Sequence, residues 1–171
     1  SKMKPKTRIL YIHHGIGIGG APTSLLKLVQ ALPKETYDVE VGFIKPGIAE
    51  EFFRENGIKT EVINTTNNWF IHNVSGMVKW YHLYKYLKVF YHWYMTANYW
   101  APKYLKNKNV DIVHLNSHVL TSWAKAAHDL DFKVVLHNRE AIANGYFGIR
   151  KKILKSLITR YTNTIINISK D

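Results

Sequence analysis

Residues 8–21 read RILYIHHGIGIGGA, and this stretch decides the fold. Residues 8–13 (RILYIH) form a short apolar run of β-prone residues that stops at glycines, the signature of a buried strand ending in a loop. From Pro22 onward Leu25, Leu26, Leu28, Val29 and Leu32 recur at helical spacing, with Thr23 and Ser24 placed to cap free amides at the start. Strand, glycine loop and helix therefore follow one another directly.

The same alternation continues outward. Residues 37–44 (YDVEVGFI) read as a second strand, 49–56 as a short helix closed by Gly57, and 59–63 as a third strand. After a long aromatic segment come a strand at 110–115, a helix around 120–130, a strand at 132–137, a basic helix around 149–161 and a strand at 164–168. Strands separated by helices specify a parallel sheet covered on both faces, so the expected class is an α/β, Rossmann-like doubly wound sheet.

The 171 residues suit one domain, and a 46% hydrophobic content against 21% charged places the chain among globular proteins, not disordered ones. Lys and Arg number 24 and Asp and Glu 12, a formal charge of +12 that favours polyanionic partners. The absence of cysteine excludes a disulfide framework, a thiolate metal site and a cysteine nucleophile, and fits a reducing, cytoplasmic setting. No export signal or run long enough to span a bilayer is evident. The last residue, Asp171, directly follows a strand that reads as interior, so the expectation is a domain cut from a longer chain.

Gly15, Gly17 and Gly20 satisfy G-x-G-x-x-G between strand and helix. Such a loop lets backbone approach a ligand, and the helix start offers amides to an anion. A dinucleotide site also requires an acid at the end of the second strand, but that strand ends Phe43-Ile44-Lys45-Pro46, and Glu40 lies in its interior. A phosphate or acceptor site, a dinucleotide site, and a tight turn without a ligand all remain open.

The order of motifs resembles the amino-terminal domain of the family 4 retaining glycosyltransferases of the GT-B fold, the kind that builds bacterial capsular and surface polysaccharide. The residues carrying the resemblance are Gly19-Gly20-Ala21 leading into the helix, Val110-Asp111-Ile112-Val113-His114 with Ser117, Val134-Val135-Leu136-His137-Asn138-Arg139-Glu140, and Ile165-Ile166-Asn167-Ile168-Ser169. The resemblance implies that residues 1–171 are the acceptor-side half and that a donor-binding half, bearing a basic pair and two glutamates eight apart, is absent. It implies transfer from a nucleotide sugar to a glycan or lipid-linked acceptor, with the isolated half inactive and neither metal nor organic cofactor required.

By position, Gly19 and Gly20 would face donor phosphates or the acceptor, and His137 would serve as the catalytic residue near the transferred sugar, the alternative being a histidine that only packs. His114, inside its strand, reads as packing. Arg139 and Glu140 pair with each other or bind acceptor phosphate or hydroxyl, and Asn116, Ser117 and Asn138 are further candidate sugar ligands. Pro22 departs from the family, which often has an acid there. The competing class is a non-catalytic binding module or a dinucleotide-binding domain of the same fold.

Residues 76–107 mix Trp, Tyr, Lys and His densely. On a helix over 78–95, Trp80, Leu83, Tyr84, Leu87, Phe90, Tyr91 and Tyr94 are spaced as a core face. The opposite side holds Lys85, Tyr86, Lys88, Val89 and Trp93 beside His82 and His92, which suits either an anionic membrane surface on the inner face of the cell membrane or the missing domain. Aromatics among lysines also suit single-stranded nucleic acid, but no RNA-binding motif accompanies them, so nucleic acid is not expected. Arg150, Lys151, Lys152 and Lys155 extend the basic surface or form a solvated helix face.

Overall fold

A computed structural model of the chain describes residues 4–63, 83–139 and 148–167. Those residues form a six-stranded sheet of β1 (Thr7–His13), β2 (Tyr37–Phe43), β3 (Lys59–Val62), β4 (Ile112–Leu115), β5 (Lys133–Asn138) and β6 (Thr164–Asn167). Its order is β3-β2-β1-β4-β5-β6 and every pairing is parallel. The helices are α1 (Gly20–Ala31), α2 (Ile48–Glu55), α3 (Leu83–Met95), α4 (Ala101–Leu105), α5 (Thr121–Asp129) and α6 (Ile149–Tyr161). The expected class, a Rossmann-like α/β domain, is therefore the observed one.

Alternation along β1 divides the core in two. Ile9 and Tyr11 point to one face and join Leu25, Leu26 and Val29 of α1 with Phe53 of α2. Leu10 and Ile12 point to the other, where Leu105, Leu120, Trp123, Leu136, Ile158 and Tyr161 close over them. Both faces of a central parallel strand are covered, which is why its sequence runs apolar without a break. Gly57 ends α2 with a φ of 76°, and the amide of Ile58 returns to the carbonyl of Phe53 at 3.1 Å, as a glycine stop requires.

The segment after α3 departs from simple expectation. Residues Thr96–Trp100 form a π-helical turn that leads without a break into α4, and Ser117 begins a 3₁₀ turn at His118–Leu120. Behind α4, Lys108 bonds Glu40 of β2 at 2.7 Å and also Glu61 of β3, while Tyr104 donates to Glu61 at 2.8 Å. This cluster fastens the connection between helices and β4 to the far half of the sheet, and it occupies Glu40, the one acid at dinucleotide distance.

The packing of α3 reverses the sequence expectation. Leu83, Tyr84, Leu87, Phe90, Tyr91 and Tyr94, expected as core, are exposed. The expected outer side instead packs: His92 is buried, Val89 and Trp93 are half-buried, and the Trp93 indole donates to Thr121 Oγ1 at 2.9 Å. The physical cause is that α3 meets the body of the protein only through a narrow arc against the π turn and α5. Aromatic residues on all sides of the helix leave no polar stripe to announce which arc that is. Tyr86 and Lys88 are exposed as expected. The side chain of Lys85, the turn at 78–82 with Trp80 and His82, Arg150, Glu140, Ile168 and Ser169 lie outside the described residues.

Candidate functional site

In a parallel sheet all carboxyl ends lie along one edge, and here β1, β4 and β5 bring His13, Asn116, His137 and Arg139 to the edge beside the glycine loop. One chain of hydrogen bonds links them. Arg139 Nε donates to Asn116 Oδ1 at 2.7 Å, and Asn116 Nδ2 donates to His13 Nδ1 at 2.9 Å. Arg139 Nη1 donates to Ser24 Oγ on α1, also at 2.7 Å, whereas Nη2 is buried and has no partner among the described residues.

These contacts fix protonation. Because His13 Nδ1 accepts, its proton sits on Nε2, and Nε2 is buried without a hydrogen-bond partner beneath Gly15. Burial, then the neighbouring charges of His14 and Arg139, hold His13 down to about pKa 3, so the ring is neutral. His114 is likewise about 3, by burial and then by His137 and Arg139, and its ring packs on Tyr11 with centroids 4.4 Å apart. His114 therefore packs, as expected. Burial first, then Arg139, also lowers His137, whose Nδ1 is buried and unpartnered. Tyr11 rises to about 12 through burial, against the pull of Arg139. Burial lowers Arg139 itself, and no ion pair of the described residues includes it.

The glycine loop shows which of its glycines packing requires. A Cβ on Gly15 would lie 2.9 Å from His13 Nε2 and would displace a buried ring. Gly17, Gly19 and Gly20 have nothing within 4 Å of such a Cβ, and none has a positive φ. Neither packing nor backbone conformation accounts for these three, so the space in front of them is open to a ligand. The loop is anchored from behind, where the Ile16 carbonyl accepts from the amide of Ala49 at 3.1 Å and Gly47 presses against it.

At the start of α1, Gly19 supplies no capping side chain and the first turn holds no acid. The first-turn amides lack intrahelical partners and carry the positive end of the helix dipole. The expected hydroxyl caps do not form. Thr23 donates instead to the carbonyl of Gly19 at 2.8 Å, and Ser24 is taken by Arg139. Pro22 is buried.

The other expected ligands divide by burial. Asn116 is buried with both ends of its amide engaged, and Ser117 is buried with its hydroxyl accepting from the amide of Val119 at 3.3 Å. Both position the edge and do not line it. Asn138 accepts from His118 Nδ1 at 3.1 Å and donates to Asn167 at 3.2 Å, tying β5 to β6. Two contributors had not been singled out as site residues, His13 and Ser24. The pair His13-His14 at a strand end before glycines was the available signal for the first.

No protein-family model matches the chain, and no curated protein matches it by sequence. Solved structures do match by fold. MurG of Acinetobacter baumannii superposes with a TM-score of 0.56 at 19% identity over 98% of this chain and 42% of its own. HepE of Anabaena, crystallised with UDP and glucose, gives 0.58 at 16% over 93% and 37%. The spinosyn rhamnosyltransferase SpnG with thymidine diphosphate gives 0.58 at 15% over 94% and 45%. The chain thus spans less than half the length of each structure it matches. What these likenesses establish is a shared fold: a Rossmann-like α/β domain of the kind found in nucleotide-dependent sugar transferases.

Proposed function

We propose that the chain is the acceptor-side half of a glycosyltransferase that moves a sugar from a nucleotide donor to a glycan or lipid-linked acceptor, on the cytoplasmic side of the membrane, in cell-surface polysaccharide assembly. Arg139 carries the case. Its guanidinium is aimed by two neutral acceptors, Asn116 and Ser24, while Nη2 is buried and unclaimed. A buried cation without a carboxylate is costly, and an anion relieves that cost. Uncapped amides of α1 and three glycines that nothing packs against lie on the same edge. Phosphate of a donor or an acceptor has the charge and the acceptor oxygens that such a site takes.

In the proposed reaction the anomeric carbon leaves the donor's phosphate oxygen and bonds an acceptor hydroxyl oxygen, whose proton is released. Charge builds on the departing diphosphate, and fixed donors aimed at it lower the barrier. Arg139 and the loop amides are such donors. His137, neutral and with a buried nitrogen unsatisfied, is suited to hold a sugar hydroxyl. A second, donor-binding domain with a basic pair and paired glutamates completes the enzyme, and neither metal nor organic cofactor is required.

The test follows label from UDP- and TDP-sugars into lipid-extractable or polymeric product, using the complete gene product. Transfer is expected from at least one donor, with Arg139→Met lowering kcat/KM by roughly 100-fold. Residues 1–171 alone should be silent. A complete gene product that transfers from no nucleotide sugar refutes the proposal.

A further inference from the structure

We infer that the exposed arc of α3 is a docking surface for an anionic lipid bilayer. The helix carries Phe90 at 69% exposure, Tyr84 at 64%, Leu83 at 63%, Leu87 at 61%, Tyr91 at 55% and Tyr94 at 47%. At 3.6 residues per turn, Leu83, Leu87, Phe90 and Tyr94 fall along the middle of this arc. Tyr84, Tyr91 and Lys88 border one side and Tyr86 the other. Only the narrow opposite arc, with Val89, His92 and Trp93, meets the protein body.

The order across the arc selects the occupant. Apolar side chains at the centre with tyrosine and lysine at the margins match the depth gradient of a bilayer interface, where aromatic hydroxyls and ammonium groups reach the head groups while hydrocarbon sinks below. Charge points the same way. From residue 62 to residue 110 there is no acidic side chain, while Lys79, Lys85, Lys88, Lys103 and Lys106 occur in that interval. An acid-free stretch rich in lysine is attracted to phosphatidylglycerol-like head groups, whereas the centre of a protein interface is depleted of lysine. No helix of the described residues is long and apolar enough to cross a membrane, so contact would be lateral. The sugar-transfer proposal supplies a purpose, since a lipid-linked acceptor sits at that surface, but the evidence is α3 itself.

The experiment is co-sedimentation of the chain with vesicles of phosphatidylcholine alone and of phosphatidylcholine mixed with phosphatidylglycerol, in the absence of any nucleotide sugar. The mixed vesicles should pellet the protein and salt should weaken the effect. The double substitution Leu87→Ser, Phe90→Ser should reduce the bound fraction about tenfold or more. Both side chains are exposed, so circular dichroism should be unchanged; if the double variant fails to fold, Leu87→Ser alone and Lys88→Glu each still have to weaken binding. Equal pelleting with both vesicle types, or wild-type binding by the folded variants, overturns the inference. So does a self-associating chain that ignores vesicles and becomes monomeric on substitution, because a second copy then covers the arc. Failure here leaves sugar transfer standing, and failed transfer leaves vesicle binding standing.

Discussion

Replacing Arg139 with methionine keeps most of the side-chain length and removes the charge. Two hydrogen bonds of 2.7 Å, to Asn116 and Ser24, are lost. Bonds to a charged donor contribute about 1.5–3 kcal/mol each, so the gross loss is about 3–6 kcal/mol. Against this stands the desolvation of a cation with no carboxylate beside it, several kcal/mol in the opposite sense. These two nearly cancel, and what remains is the Asn116 oxygen, buried and now without a donor, at about 1–3 kcal/mol. The variant should therefore fold with a modest loss in urea denaturation. Its anion response should vanish: with pyrophosphate near 10 mM and a Kd of about 1 mM, the wild-type chain gains about 1.4 kcal/mol. Arg139→Lys should recover only part of that gain, because an ammonium cannot reproduce the fork. An R139M chain that keeps the wild-type pyrophosphate gain, or a wild-type chain that shows none, refutes the assignment of Arg139 as an anion ligand.

Three further outcomes are expected. Gly47→Ala places a Cβ 2.7 Å from the backbone oxygen of Ile16 and should cost about 1–3 kcal/mol in urea unfolding, while Gly17→Ala, which meets nothing, should stay within about 0.5 kcal/mol. Trp123 is fully buried with an indole N–H that finds no acceptor, so Trp123→Phe should cost clearly less than the ~3–5 kcal/mol of Trp123→Ala; equal losses would mean the indole is satisfied. His13 and His114, both held at about 3, take protons more readily when unfolded, so the stability they contribute is complete above about pH 6.5 and is lost as pH falls towards 3. Between pH 6.5 and 5 each should remove roughly 2 kcal/mol from the unfolding free energy, and His114→Asn should flatten that slope.

The sheet was legible because burial on both faces turns each parallel strand into a continuous apolar run, as in Ile9–Ile12 and Val134–Leu136, bracketed by turn residues. The arc of α3 was not legible. Periodicity names a buried face only when the other face is polar, and between Leu83 and Tyr94 both sides are aromatic. The π turn at Thr96–Trp100 compounds this by widening the helix locally and shifting every later side chain around the axis. At the site, Arg139 and Gly19-Gly20 could be picked from the sequence because strand ends and glycine loops converge on one edge. The linking role of Asn116 could not, since it depends on His13 and Arg139 meeting across more than 100 residues of sequence.

The strand order also sets a sequence of events at the ribosome. β1 emerges first yet lies inside the sheet, between β2, which follows at once, and β4, whose first residue comes fifty positions after the last residue of β3. At ~5–20 residues per second, that interval is roughly 3–10 s. Through it, β1, β2 and β3 can close with α1 and α2 over Ile9 and Tyr11, while Leu10 and Ile12 on the other face and the whole β4-facing edge of β1 stay bare. A half-finished sheet with an open central edge is a template for pairing with another chain. Nascent protein is thus most vulnerable to aggregation during synthesis of its aromatic middle, and slowing translation there would worsen the yield of folded protein, not improve it.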